Sequence, residues 1–178
     1  KGLPVIINDR QQYLGNSNPD YTLGWSNTFK LYDFSISFLI DARIGGDVMS
    51  FTQGYLDAAG VSANAGKAMD REYIEVGGTR IKKDNIPGFF ARVGDKDGCT
   101  EYYMYDATNI RLRELAVGYD LPQKYLQKIG FVKGLNLSLI ARNLFFFYKD
   151  APFDPDATMS VGNANQGVDV FGMPTTRS

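Results

Sequence analysis

Closely spaced carboxylates are the residues of this sequence whose types could do chemistry. Asp154 and Asp156 flank a proline, and Asp95 and Asp97 flank a lysine. Such pairs could act as the acid and base of a glycosidase or as oxygen ligands of calcium. A glycosidase pair needs a defined separation across a sugar, and calcium needs several clustered oxygen ligands, which these stretches do not supply. We therefore expect no catalytic residue, no metal site and no cofactor, and a bound calcium ion is unsupported.

Composition excludes several further kinds of chemistry. The sequence contains no histidine, which rules out histidine triads and histidine-bearing zinc sites. The lone Cys99 cannot form an internal disulfide. A formal net charge of -1 leaves no basic footprint for a nucleic acid. We expect a protein that is not an enzyme and does not bind nucleic acid.

A long connection over residues 45–99 is rich in glycine, aspartate and alanine and contains several aromatic side chains. Aromatic rings in loops can stack against sugar rings, although they also pack against their own loop. The candidate substrate-binding residues are Tyr55, Tyr73, Phe89 and Phe90. Within the connection, Val48–Ala59 predicts a helix that ends at Gly60, and residues 70–97 predict turns more than regular elements.

Two runs of apolar/polar alternation, over residues 21–31 and 34–44, predict the strands that would position a substrate-binding site in this connection. Each run is eleven residues long, and only Tyr32 and Asp33 separate them. Soluble strands usually run about 5 to 6 residues, whereas a tilted strand that crosses a bilayer needs about 9 to 11. The pattern therefore predicts a membrane-spanning β-hairpin. Its apolar face contains Tyr21, Leu23, Trp25, Phe29 and Leu31 from the first run and Phe34, Ile36, Phe38, Ile40, Ala42 and Ile44 from the second.

Alternation resumes over residues 102–119 and again from Leu135, which predicts two more long strands. Residues 122–129 between them predict a short helix that ends at Gly130. One face of the first strand would carry Arg111, Arg113, Leu115, Val117 and Tyr119. One face of the second would carry Leu135, Leu137, Leu139, Ala141, Phe145 and Phe147, with Tyr148 on the opposite face.

Several motifs carry a resemblance to a known family. The segments D-A-T-N-I-R-L-R-E-L (106–115), V-G-Y (117–119) and L-P (121–122) resemble a signature of SusC/RagA-type TonB-dependent outer-membrane transporters. Three further segments resemble the C-terminal region of that family in the same order: N-P-D-Y (18–21), R-N-L-F (142–145) and D-P-D (154–156). Asp154 and Asp156 thus lie in a motif common to these transporters, which favours a loop-structuring role.

The resemblance implies an all-β fold, an antiparallel transmembrane segment of a 22-stranded barrel with long extracellular loops. Residues 1–178 would be the C-terminal part of that barrel, without the plug domain, the TonB box and the final strand. Short turns at Tyr32–Asp33 and 120–134 would be periplasmic, and the loops at 45–101 and 149–178 would be extracellular. The side chains lining the lumen would be Ser35, Ser37, Asp41, Arg43, Ser138 and Arg142.

The same resemblance implies a function in the outer membrane of a Gram-negative cell. Such transporters import oligosaccharides, or peptides in some members, with energy from the proton gradient delivered through TonB. The expected partners are a SusD-like surface lipoprotein, TonB through the absent N-terminal segment, the imported oligosaccharide or peptide, and outer-membrane lipid.

The alternative from a different class is a secreted β-sandwich carbohydrate-binding module, which would also be rich in strands, tyrosines and glycines. The two readings differ in where the apolar strand faces point, since a sandwich buries them in a shared core and a barrel exposes them to lipid. The discriminating residues are Phe34, Ile36, Phe38, Ile40, Leu135, Leu137 and Leu139.

Overall fold

The computed structural model describes residues 12–127, 134–156, 165–173 and 175–178. These residues divide into two compact units. The loop unit contains the described residues of 12–18, 47–106 and 165–173, and the sheet unit contains those of 19–46, 107–156 and 175–178. No helix among the described residues is both long enough and apolar enough to cross a membrane.

Strands dominate the described ranges. The strands are β1 (Tyr21–Leu31), β2 (Phe34–Ile44), β3 (Asp47–Ser50), β4 (Tyr73–Val76), β5 (Thr79–Lys82), β6 (Met104–Asp106), β7 (Asn109–Asp120), β8 (Asn136–Lys149) and β9 (Val168–Asp169). The helices are α1 (Phe51–Ala58), α2 (Ala63–Met69), α3 (Ile86–Val93) and α4 (Gln123–Leu126), with 3-10 turns at Lys83–Asn85 and Thr100–Tyr103.

The sheet unit is built on one antiparallel sheet with the strand order β1-β2-β7-β8. The hairpin of β1 and β2 has the bounds that alternation predicts, and Tyr32 in its turn adopts a positive φ of 54°. The strand predicted from Leu135 is β8. The predicted helix at 122–129 is shorter, as α4, and its expected end at Gly130 lies outside the described residues.

The predicted strand over residues 102–119 is wrong in two respects. Its first part forms a 3-10 turn and then β6, which belongs to a different sheet from β7. In addition, Leu112 and Glu114 of β7 have partners on both neighbouring strands, while the residue between them, Arg113, is an extra bulged residue. A bulge shifts the phase of alternation, so Arg111 and Leu115 lie on opposite faces rather than on one.

The loop unit has its own apolar core between two helices and a hairpin. The prediction of turns over residues 70–97 is wrong, because β4, β5 and α3 occupy most of that range. The hairpin of β4 and β5 turns at Gly77 and Gly78, whose φ angles of 54° and 74° suit a two-residue turn that matches strand twist. The core residues are Ala65, Ala68, Ile74, Ile81, Ile86, Phe89, Phe90, Val93 and Tyr103.

The predicted helix at Val48–Ala59 begins later than expected. Residues up to Ser50 form β3, and Ser50 caps α1 by accepting a hydrogen bond from the Gln53 backbone N–H at 3.0 Å. Gly60, with a φ of 71°, follows the helix as expected for a C-terminal glycine. A side chain at Gly94 would collide with the Gly54 carbonyl oxygen, so glycine at the end of α3 permits close packing on α1.

Asp57 ties α1 to the start of α2. Its carboxylate is fully buried and accepts hydrogen bonds from Gln53 Nε2 at 2.7 Å, from Asn64 Nδ2 at 3.0 Å and from Ser62 Oγ. Ser62 also caps α2 through the Ala65 backbone N–H. A buried carboxylate with three donors is satisfied, and losing it would leave those donors unpaired.

Asp57 also acts on the tyrosines beside it. Burial, and then the negative charge of Asp57, raises the pKa of Tyr103 far above its usual range. The same two causes raise the pKa of Tyr105 to about 12. The folded state disfavours the ionised phenolates. The stability that the two neutral tyrosines contribute to the folded state is therefore present below about pH 10 and is lost as the pH rises further.

We predict that Asp57→Ala destabilises the loop unit locally. Hydrogen bonds to a charged group contribute about 1.5 to 3 kcal/mol each, and their loss should favour opening of the segment that contains α1 and α2. Limited proteolysis of the full-length protein should show faster cleavage within residues 51–70. The matched control is Asp84→Asn at an exposed aspartate, and equal cleavage rates for the two variants would contradict the prediction.

Candidate functional site: a two-faced sheet with a buried arginine

One face of the four-stranded sheet is almost entirely apolar. The pairings align five cross-strand rows of four residues, and Asn27 is the single polar member. The rows are Leu31/Phe34/Tyr119/Leu137, Phe29/Ile36/Val117/Leu139, Asn27/Phe38/Leu115/Ala141, Trp25/Ile40/Leu112/Phe145 and Leu23/Ala42/Ile110/Tyr148. Tyr148 therefore lies on the apolar face, contrary to the prediction, because β8 shifts register at Phe147.

The apolar face is not covered by a second layer of the described chain. Ile36 is 45 % exposed, Leu137 is 58 % exposed and Leu139 is 74 % exposed. A β-sandwich would bury these side chains in a shared core, so the sandwich alternative is wrong. A sheet whose strands are 11 to 14 residues long and whose exposed face is apolar has the dimensions and polarity of a bilayer-spanning wall.

Aromatic rings mark the end of the sheet near the Tyr32–Asp33 turn. The Phe34 and Tyr119 rings pack with their centroids 4.6 Å apart, and Tyr32 beside them is 96 % exposed. At the other end, Tyr21 and Tyr148 are also exposed. Rings with an apolar body and a polar tip are enriched at both membrane interfaces, and their placement here agrees with that pattern.

The opposite face of the sheet is polar and contains a buried arginine. The Arg111 side chain is only 2 % exposed, and its guanidinium pairs with Asp156, with Asp154 at 3.8 Å and with Asp41 at 3.6 Å. Arg113 shares two of these partners, since its Nη2 lies 2.6 Å from Asp41 and 3.7 Å from Asp156. We call these five side chains the arginine cluster. Its charges compensate one another, as burial requires.

Two of the four carboxylates singled out in the sequence, Asp154 and Asp156, are structural members of this cluster. The Asp156 backbone N–H donates to Asp154 Oδ1 at 3.1 Å, which forms a tight turn around the buried Pro155. With Arg111 on both carboxylates, the D-P-D segment is fixed to β7. The loop-structuring role is what the contacts support, and no group of three or more metal-ligating side chains occurs among the described residues.

The side chains predicted to line the lumen do share one face. Opposite the apolar rows lie Ser35, Ser37, Asp41, Arg43, Ser138 and Arg142. Asp41 belongs to the arginine cluster, and Arg142 Nε donates to Glu114 Oε2 at 3.2 Å. These two side chains thus bond to neighbours on their own sheet.

The four candidate substrate-binding aromatics are not brought together by the structure. Phe89 and Phe90 are each 1 % exposed in the core of the loop unit. The prediction that they stack on a ligand is therefore wrong, because their rings are buried. Tyr55 is partly exposed and stacks on Phe171 with ring centroids 5.7 Å apart. Tyr73 is partly exposed beneath the Arg80 guanidinium at 4.8 Å. For the two tyrosines, substrate binding stays a prediction.

Comparison with known proteins identifies the class. TonB-dependent receptor P3 of Formosa agariphila is 24% identical over 173 residues, covering 94% of this chain. TonB-dependent receptor P39 of the same organism is 28% identical over 153 residues, covering 84% of this chain. The chain spans only 16% and 14% of the length of these two relatives. No family model matches the chain.

Solved structures show the same fold. The RagAB peptide importer in its 'open-open' state superposes with a TM-score of 0.57 and 16% identity over 99% of this chain and 19% of that one. The 'closed-closed' state gives a TM-score of 0.55 and 18% identity over 90% of this chain and 16% of that one.

The matches confirm the resemblance found in the motifs. The chain is similar in sequence to a segment of TonB-dependent receptors, which are β-barrel proteins of the outer membrane. Its fold is similar to that of a segment of the RagAB peptide importer.

We predict that an arginine on the apolar face blocks membrane assembly, whereas one on the polar face does not. Ile36→Arg would place a charge in hydrocarbon at a cost of roughly 2 to 4 kcal/mol near the bilayer midplane. The neighbouring Ser37→Arg would point to the polar side and serves as the matched control. The measurement is the amount of full-length receptor recovered in the outer-membrane fraction. Similar recovery of both variants would argue against lipid on the apolar face.

Proposed function

We propose that the chain forms four strands in the wall of a TonB-dependent importer that carries oligosaccharides or peptides across the outer membrane. The observation that carries this proposal is the exposed apolar face of five aligned rows, backed by a polar face with compensated charges. A sheet with these two faces separates lipid from a polar interior. A soluble protein rarely exposes an apolar surface of this extent to water.

The rest of the importer is proposed from the family resemblance. The strands would belong to a closed 22-stranded barrel, because free sheet edges in a bilayer leave backbone groups without partners. Residues 1–178 would be the C-terminal part of that barrel, and the plug domain and TonB-contacting segment would lie elsewhere in the receptor. Energy would come from the proton gradient through TonB, with no cofactor and no enzymatic step.

The partners are proposed on the same basis. A SusD-like surface lipoprotein would cap the barrel, and the loop unit would then lie on the extracellular side, between β2 and β7 in the chain. The solved neighbours are peptide importers by name, which supports the peptide alternative. Tyr55 and Tyr73 are the exposed aromatics of the loop unit proposed to contact the cargo.

We predict that deleting the gene abolishes TonB-dependent uptake of one cargo class. Cells with and without the receptor should be given labelled mixed oligosaccharides in one assay and labelled mixed peptides in another. The expected result is loss of uptake in only one assay, with the same loss when TonB is inactivated in cells that have the receptor. Uptake that is unchanged in both assays would count against import. Uptake that persists without TonB would count against the energy source.

A further inference from the structure

The last residues of the chain lie along the edge of β8 that pairs with no other described strand. The Arg142 backbone N–H donates to the Ser178 carbonyl oxygen at 2.6 Å, and the Ser178 N–H donates back to the Arg142 carbonyl oxygen at 3.4 Å. A reciprocal exchange of this kind defines a hydrogen-bonded pair between antiparallel strands. The edge of β8 therefore already holds the first pair of a further ladder.

Asn143 supplies a second contact to the same segment. It adopts a positive φ of 50° within the irregular stretch of β8, and its Nδ2 donates to the Thr176 carbonyl oxygen at 3.1 Å. Asparagine tolerates this backbone conformation better than most residues do. A bulge can re-aim a side chain toward a neighbour, and here it brings the Asn143 amide to the incoming segment.

Asp154 supplies the third contact and joins it to the arginine cluster. Its Oδ2 accepts hydrogen bonds from the Thr175 backbone N–H at 3.3 Å and from Thr175 Oγ1. Its Oδ1 accepts from the Asp156 N–H and lies 3.8 Å from Arg111 Nη1. The residue is 8% exposed. One carboxylate is thus held by Arg111 on one side and holds Thr175 on the other.

We propose that Asp154, fixed by Arg111, is a positioning residue that starts a further antiparallel strand on the edge of β8. The inference rests on the proposed role of the chain as barrel wall, and it gives the arginine cluster a task in closing that wall. The Arg142–Ser178 pair sets the register of the strand. Arg142 lies on the polar face of the sheet and Ala141 on the apolar face, so apolar residues are expected opposite Ala141 and at every second position of the added strand.

The proposal is tested in the full-length receptor by disulfide trapping of the Arg142–Ser178 pair. Arg142→Cys and Ser178→Cys are introduced together in a Cys99→Ser background, and the oxidised fraction of membrane-inserted protein is measured. Adding Asp154→Ala should lower the rate of trapping roughly tenfold, the effect of losing one charge-assisted hydrogen-bonding group. Asp154→Asn, which keeps the shape and removes the charge, should give a smaller decrease. Asp150→Asn, at an exposed aspartate of the same segment, should trap at the rate of the unmodified chain.

A second readout separates positioning from general loop stability. Closed outer-membrane barrels migrate faster on gels when they are not boiled, and Asp154→Ala should lose this shift until the cysteine pair is oxidised, which should restore it. If Asp154→Ala traps at the control rate, the inference is overturned. If Asp154→Ala fails to insert into the membrane, the same criterion applies to Asp154→Asn. A shift that oxidation does not restore would also overturn it. Absence of the parent receptor from the outer membrane would instead refute the proposed function.

Discussion

The buried charge of Arg111 is the constraint on which the polar side of this sheet depends. Its guanidinium is almost inaccessible to water and is compensated by Asp41, Asp154 and Asp156. Removing one partner of a buried pair typically costs about 3 to 5 kcal/mol, whereas an exposed ion pair contributes about 0 to 1 kcal/mol. Two of the carboxylates come from the segment after β8 and one comes from β2. The charge of Arg111 on β7 is therefore compensated by all three only when these stretches are in place together.

The bulge in β7 follows from the demands of both faces. The polar face takes Arg111, Arg113 and Glu114 at this level, while the apolar face takes Leu112 and Leu115. Strict alternation cannot supply this distribution, since residues an odd number apart would lie on opposite faces. One extra residue shifts the phase, and the neighbouring strands shift register at the same level. The irregular stretch therefore reconciles a lipid-facing surface with a compensated charge cluster.

The sequence predicted elements well where one local pattern decides the structure. Residues 21–44 alternate almost without interruption over twice eleven residues, and the hairpin has those bounds. Apart from α1, the elements of the loop unit are not predicted by the sequence, because its strands have four residues or fewer and its helices have at most eight, so tertiary packing rather than periodicity stabilises them. Phe89 and Phe90 are a second example. Both adjacent rings are buried because neighbouring elements of the loop unit pack against α3, and this packing is not visible in the local sequence pattern.

Three of the motif segments that resemble the SusC/RagA family meet around the arginine cluster and residues 175–178. Arg111 and Arg113 come from the I-R-L-R stretch, Asn143 from R-N-L-F and Asp154 from D-P-D, and each either compensates a charge or holds residues 175–178. None of these contacts leaves a side chain pointing to a ligand, so the motifs specify how the wall is built rather than what crosses it. The two exposed tyrosines proposed to contact cargo, Tyr55 and Tyr73, lie outside these motifs.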